Sequence, residues 1–139
     1  MKEILFFILM FFWISLCIAQ MSGMSMGHHH EMRQEEEKEL VPSGELKDGV
    51  REVEVKAFQY GFSPDPIIVN KGEKIRLKVT STDVTHGILI PEYKINVTLP
   101  PGETKVVEFL ADKEGEFMLH CSVYCGIGHG RMHGRLIVR

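Results

Sequence analysis

The sequence predicts an all-β domain, an antiparallel β-sandwich or Greek-key barrel of roughly ninety residues. Three observations favour this fold class. From Val50 onwards, short apolar segments alternate with polar residues at a period of two. Residues typical of turns (Gly, Pro, Asn and Asp) separate these segments about every eight to twelve residues. No convincing helical pattern follows Val50.

Residues 1–19 differ in composition from this domain. An almost unbroken apolar run extends from Ile4 to Ala19, and Lys2 is the only basic residue before it. The run is shorter than the about 20 residues of a membrane span. It suits the apolar core of a secretory signal peptide, with Cys17-Ile18-Ala19 as a small-x-small cleavage site. An uncleaved single membrane anchor is the alternative, and both interpretations place the domain on the outer side of the membrane.

Residues 20–49 are expected to form a flexible linker. Its first part, MSGMSMGHHHEM, has four methionines and three histidines but no apolar periodicity. Copper capture is one interpretation, because thioethers bind Cu(I) and imidazoles bind Cu(II). A plain solvated spacer is the other. The charged stretch that follows contains Pro42-Ser43-Gly44, which ends any helix begun at Gln34.

The predicted domain covers residues 50–139, and its first half shows two alternating segments. In VREVEVKAF, Val53 and Val55 alternate with charged residues, as in a half-buried strand. The segment from Lys74 to Val79 has the same pattern. A bend at Ser63-Pro64-Asp65-Pro66 separates the first segment from a short apolar strand, Ile67-Ile68-Val69.

The second half of the domain has five further strand candidates. They are separated by turn residues, of which Pro100-Pro101-Gly102 are the strongest. In such a fold the loops gather at the ends of the sheets, so residues distant in sequence can meet there. The candidate segments are residues 87–90, 95–99, 104–110, 116–120 and 135–138.

Composition excludes several classes of function. Hydrophobic content of 44% permits an ordinary core, and a formal charge of −3 gives no basic surface for nucleic acid. The sequence has no glycine-rich phosphate loop and no Gly-x-Ser-x-Gly nucleophile motif. The remaining chemistry is concentrated near the C-terminus.

The stretch HCSVYCGIGHGRMHG is dense in metal-binding side chains. Cys121, Cys125, His129 and Met132 follow the spacing Cys-x3-Cys-x3-His-x2-Met. Thiolates, imidazole and thioether are soft donors that suit copper or zinc. A local disulfide between the cysteines is the alternative, but it leaves the histidine and the methionine unexplained.

A second imidazole is needed to complete this set, and His86 in DVTHGI is the candidate. It follows a strand and a turn, and Asp83 is expected to orient its ring, as carboxylates commonly do for metal-bound histidines. His120 is left out because it faces the side of its strand opposite to Cys121. His133 is less securely excluded.

Three metal sites fit these residues. Zinc would take Cys121, Cys125, His129 and His86 as a closed tetrahedral set, without a role for Met132. A single blue-copper ion would use two histidines, one cysteine and an axial methionine. Two copper ions bridged by both thiolates would use every donor.

The motifs of the domain resemble a known family. Cys-x3-Cys-x3-His-x2-Met with an upstream histidine is similar to the binuclear copper A domain of haem-copper oxidase subunit II, a cupredoxin-like Greek-key fold. AFQYGFSPDPIIVNKGEKI, TSTDVTHG, INVTLPPGE and CSVYCGIGHGRM resemble the short, single-anchor subunit II of the B-type oxidases.

The resemblance implies a ligand set for two copper ions. The two thiolates would bridge the coppers, one histidine would bind each copper, and a thioether and a backbone carbonyl would be weak ligands. Many larger oxidases have a glutamate at the carbonyl position, which helps bind magnesium; valine here puts that magnesium contact in doubt. The implied ligands are His86, Cys121, Val123 (carbonyl), Cys125, His129 and Met132.

The resemblance also implies a non-catalytic redox role. A soluble c-type cytochrome or small copper protein would donate electrons, and a haem-bearing oxidase subunit I in the membrane would accept them. The aromatic-rich docking run of the larger enzymes is absent; Tyr60, Phe62 and Tyr124 are the aromatic candidates, all expected in the core. A free-standing exported electron carrier or copper-handling protein, or a zinc-stabilised binding module, are the alternatives.

Overall fold

A computed structural model describes residues 41–139 as ten strands and two short 3-10 helices. The proposed targeting segment at residues 1–19 and the Met/His-rich stretch lie outside the described residues. Within residues 41–139, no helix is long and apolar enough to cross a membrane. The 3-10 helices are Pro91–Tyr93 and His129–Arg131; the strands are β1 Glu45–Lys47, β2 Val50–Phe58, β3 Gly61–Ser63, β4 Ile67–Val69, β5 Lys74–Ser81, β6 His86–Ile90, β7 Ile95–Leu99, β8 Thr104–Leu110, β9 Gly115–His120 and β10 His133–Val138.

The predicted all-β fold class is confirmed, and the strands form two sheets. The first has the order β1-β2-β5-β8, with β3 paired to β2. The second has the order β4-β10-β9-β6-β7. The apolar residues of the alternating strands face a shared core, as the period of two predicted. Those of β2 and β5 are Val53, Val55, Ala57, Ile75, Leu77 and Val79, and the second sheet contributes Ile88, Ile90, Leu119 and Leu136.

The predicted sandwich was expected to be antiparallel, and two of its strand pairs are parallel. β2 pairs in parallel with β5, with Val50 opposite Lys74 and Ala57 opposite Ser81. β4 pairs in parallel with β10. A pattern of period two reports which face of a strand is buried, and it carries no information about the direction of the neighbouring strand.

Two strands have no counterpart in the sequence analysis. β1 lies ahead of the expected domain start at Val50, and all three of its residues are exposed, so no apolar alternation marks it. β3 lies just before the expected bend and overlaps it only at Ser63, with Phe62 as its one buried residue. Both strands are only three residues long and extend the first sheet at β2.

The strand directions bring four segments to one end of the domain. Because β2 and β5 run in parallel, the residues after Phe58 and the residues after Ser81 leave the first sheet at the same end of its strands. In the second sheet, β9 ends and β10 begins at positions that pair with each other. β6 runs antiparallel to β9 with Leu89 opposite His120, so its first residue, His86, lies beside the residues that follow β9. The donor-rich loop and the His86 turn therefore lie at one end of the two sheets.

Candidate metal centre

The donor-rich loop is the connection between β9 and β10. His120 pairs with His133 at the base of the loop, and the backbone N–H of Cys121 donates to the carbonyl of Met132 at 3.2 Å. Inside the loop, a 3-10 turn places His129, whose carbonyl accepts the N–H of Met132 at 3.1 Å. These bonds hold both ends of the loop, so its first cysteine and its methionine lie side by side.

The upstream histidine reaches the loop from the neighbouring strand. His86 is the first residue of β6 and its side chain is fully buried. Its Nδ1 lies 3.7 Å from Sγ of Cys121. The structure therefore brings the sequence-predicted histidine to the sequence-predicted loop.

The predicted donors form one continuous cluster. The two sulfurs of Cys121 and Cys125 are 3.7 Å apart, and both cysteines are free and buried. Nδ1 of His129 lies 3.7 Å from Sγ of Cys125, and Sδ of Met132 lies 3.6 Å from the same sulfur. The carbonyl oxygen of Val123 lies 3.1 Å from Sγ of Cys121. Each imidazole thus contacts a different sulfur.

The chemistry of this cluster fits a soft metal ion. The donor atoms of His86, Cys121 and Cys125 all lie within 4.8 Å of one another. Burial, and after it the neighbouring Cys121 thiol, together raise the pKa of the Cys125 thiol to about 11. A buried thiol of high pKa stays protonated unless a cation compensates its charge, as a coordinated metal ion does. Thiolate and imidazole donors together suit copper and zinc.

Asp83 orients His86 as the sequence analysis predicted. Its Oδ1 lies 2.6 Å from Nε2 of His86, which leaves Nδ1 directed at the sulfur of Cys121. Burial alone would raise the pKa of Asp83. The hydrogen bonds from the backbone N–H groups of Gln59 and Val84, followed by the one with His86, outweigh burial and lower that pKa. The carboxylate is therefore ionised and suited to accept the Nε2 proton.

Gln59 is a part of the site that the sequence analysis missed. Its backbone N–H donates to Oδ2 of Asp83 at 2.7 Å, and its side-chain Nε2 donates to the carbonyl of Cys125 at 2.7 Å. One residue thereby contacts the carboxylate that holds His86 and the backbone of the donor-rich loop. No sequence motif marks this role, because the contacts depend on the parallel pairing of β2 and β5.

The expected core position of the three aromatic residues is correct only for Phe62. Phe62 is buried, but Tyr60 is 40% exposed and Tyr124 is 74% exposed. The ring of Tyr124 lies 5.7 Å from the imidazole of His129, measured between centroids. Ile127, in the same loop, is 96% exposed. The loop that carries His129 therefore exposes one aromatic and one apolar side chain.

A family model for the cupredoxin-like domain matches residues 5–138, and the chain belongs to this family. Its homologues include two Thermus thermophilus proteins named cytochrome c oxidase subunit 2, each 41% identical over 87 residues. The match covers 63% of this chain but only 64% and 52% of those proteins, so this chain spans less than two thirds of their length.

The fold is also found in solved structures. The periplasmic domain of subunit II of cytochrome oxidase from Bradyrhizobium japonicum superposes with a TM-score of 0.60 at 22% identity, covering 72% of this chain and 88% of that one. A chain from a heme-copper terminal oxidase dimer superposes with a TM-score of 0.62 at 24% identity, covering 99% of this chain and 95% of that one. These likenesses show the fold, and the family together with the cluster indicates a copper site.

Proposed function

We propose that this chain is the electron-transfer subunit of a haem-copper terminal oxidase, and that its cluster holds two copper ions as a copper A centre. One observation carries the proposal. Two buried thiol sulfurs lie 3.7 Å apart, with the imidazole of His86 against one and that of His129 against the other. This pairing would offer each of two metal ions its own histidine and would let the two ions share the two cysteines.

The remaining donors fit the outer positions of such a centre. The thioether of Met132 lies against Cys125, on the same sulfur as His129. The carbonyl of Val123 lies against Cys121. We assign both as weak ligands. A closed four-ligand zinc site would leave the buried Met132 without a role as a ligand.

The protein contributes rigidity to electron transfer. Copper bound in this cluster would supply one-electron oxidation and reduction. Asp83 fixes the ring of His86, Gln59 fixes the carbonyl of Cys125, and the buried cysteines keep water away from the donors. Because these contacts resist movement of the ligating side chains, little reorganisation would accompany the gain or loss of an electron at bound copper.

The exposed aromatic and apolar side chains of the loop that carries His129 form the proposed docking site of the electron donor. Tyr124 and Ile127 project from the loop, and Tyr60 lies against it. Weak electron-transfer complexes use small contact areas, and an apolar patch beside a ligand brings the donor close to the metal. We propose a soluble c-type cytochrome or a small copper protein as the donor.

We propose a haem-bearing oxidase subunit I as the electron acceptor, in the membrane, with residues 50–139 on its outer side. Residues 1–19 would direct export or anchor the chain, and residues 20–49 would connect them to the domain. The homology to subunit 2 proteins supports this arrangement.

Purification from native membranes tests the assembly. A chain that acts as an oxidase subunit copurifies with haem and with a large multispanning protein. A chain recovered alone in the exported soluble fraction would contradict the subunit role and support a free-standing carrier. Reduction of that haem by an added cytochrome should stop in Cys125→Ser, which removes a shared thiolate.

A further inference from the structure

Two histidines that the proposed copper centre does not use lie next to each other at the base of the loop. His120 is the last residue of β9, and His133 is the first residue of β10. They are directly opposite each other in the antiparallel register, and both are exposed. Their neighbours Cys121 and Met132 are buried, so the two imidazoles lie on the outer face of the sheet.

We propose that His120 and His133 bind one late first-row transition-metal ion, such as Cu(II) or Zn(II), at the surface. Residues directly opposite in an antiparallel pair have Cβ atoms about 4.5 to 5.5 Å apart. A zinc–imidazole bond is about 2.0 to 2.1 Å long, so both rings can reach one ion from this separation. Imidazole suits zinc, copper and nickel, and water completes the coordination.

The backbone on both sides of the pair is held in place before any ion binds. The N–H of Cys121 donates to the carbonyl of Met132 at 3.2 Å on the loop side. On the other side, the pairing of β9 with β10 continues to the end of both strands. An ion therefore has to order only two side chains, which lowers the entropic cost of binding.

The neighbouring side chains leave room for a cation. Arg135, which follows on the same face of β10, has its guanidinium 3.6 Å from Asp65 and 3.9 Å from Glu116. Glu116 lies four residues before His120 on β9, so these contacts draw the positive charge away from the histidine pair. On its other side His120 is opposite the apolar, half-buried Leu89 of β6.

The proposal rests on strand register and not on the copper centre, so the two can fail separately. The test is a Zn(II) titration of the full-length, metal-free, reduced chain, followed through the ring nitrogens of each histidine by NMR. His86 and His129 report on the buried cluster, and His120 and His133 report on the surface pair. Site-specific signals also separate both from the histidines at residues 28–30.

The expected result is a joint shift of the His120 and His133 signals with a common affinity. In His120→Asn, the Zn(II) affinity at His133 should fall at least about tenfold, the loss that is typical when a metal site loses a supporting group. His133→Asn should do the same to His120. Thr98→Asn is the matched control, an exposed position on the same face two strands away, and it should leave both affinities unchanged.

Two results would overturn the proposal. One is a histidine whose affinity survives the loss of its partner, since each ring would then bind alone. The other is that the His120 and His133 signals do not move once Zn(II) has saturated His86 and His129. The amide spectrum of each variant shows whether the domain remains folded, so a folding defect is not mistaken for a lost site.

Discussion

Two residues of the proposed metal centre, His86 and Cys125, are held by residues that are not themselves donors. Asp83 holds the ring of His86, and Gln59 holds the carbonyl of Cys125. Sequence spacing predicted which side chains form this cluster, because most of them lie within one short run. It did not predict Gln59, whose side chain contacts a residue 66 positions further along the chain.

Loss of the Gln59 side-chain donor should loosen the loop. Gln59→Leu removes the hydrogen bond to Cys125 but keeps the backbone bond to Asp83, and should lower the free energy of unfolding by about 0.5 to 1.5 kcal/mol. Gln59→Glu should cost more, because a carboxylate oxygen then faces the carbonyl oxygen. Denaturant unfolding and amide exchange in the loop measure both. Equal stability of Gln59→Glu and the wild type would contradict this role.

Met132 should tune the proposed copper centre more than it holds it. Met132→Leu removes the thioether that lies 3.6 Å from Cys125, while it retains apolar volume in a buried position. A weak ligand sets the reduction potential of a copper site. We expect the copper content to stay the same and the potential, measured by protein voltammetry, to shift. An unchanged potential would exclude Met132 as a ligand.

At the scale of elements, the loop is shaped by close contact with the residues after β2. A Cβ atom at Gly128 would lie 2.4 Å from the ring of Tyr60, and a Cβ atom at Gly126 would lie 2.5 Å from its hydroxyl. Gly126 also has a φ of 131°, which side chains other than glycine rarely adopt. The density of glycine in the loop was visible in the sequence, but the ring that requires it was not.

A pair of glycines in the loop tests this packing. Gly128→Ala places a methyl group against Tyr60 and should destabilise the domain by about 1 to 3 kcal/mol. Gly130→Ala is the matched control, since a Cβ atom there meets nothing within 4 Å. It should change stability by no more than about 0.5 kcal/mol. Thermal unfolding of both variants gives the comparison, and equal losses would disprove the contact with Tyr60.

At the scale of the molecule, the parallel pairing of β2 and β5 assembles the site. It brings the segment after β2, with Gln59, beside the segment after β5, with Asp83. Alternation along each strand was enough to predict the class of fold and the core. It could not give the order or direction of the strands, which depend on contacts across the whole chain.

The opposite end of the same two strands is held by an ion pair. Arg51 of β2 donates two hydrogen bonds, of 2.6 and 2.8 Å, to the carboxylate of Glu73, just before β5. This hydrogen bonding lowers the pKa of Glu73 to about 2. An unfolded glutamate has a pKa of about 4.3, so the stabilisation is complete above that pH and is lost as the pH falls towards 2.

Glu73→Gln should therefore destabilise the domain in a pH-dependent way. At pH 7 we expect a loss of about 1 to 3 kcal/mol, because Arg51 keeps a buried charge without its carboxylate. The difference from the wild type, measured by urea unfolding, should shrink between about pH 5 and pH 2. A difference that stays constant over this range would mean that the ionised carboxylate does not contribute.

The proposed copper centre is tested most directly by the paramagnetic resonance spectrum of the copper-loaded chain, after a chelator has removed weakly bound ions. The arrangement of two sulfurs with one imidazole against each predicts two retained copper ions and a purple, mixed-valence protein. Its unpaired electron should couple to both copper nuclei, and Cys125→Ser should lose this spectrum. A single copper with the electron on one nucleus, or a colourless protein that retains one zinc, would contradict the binuclear centre.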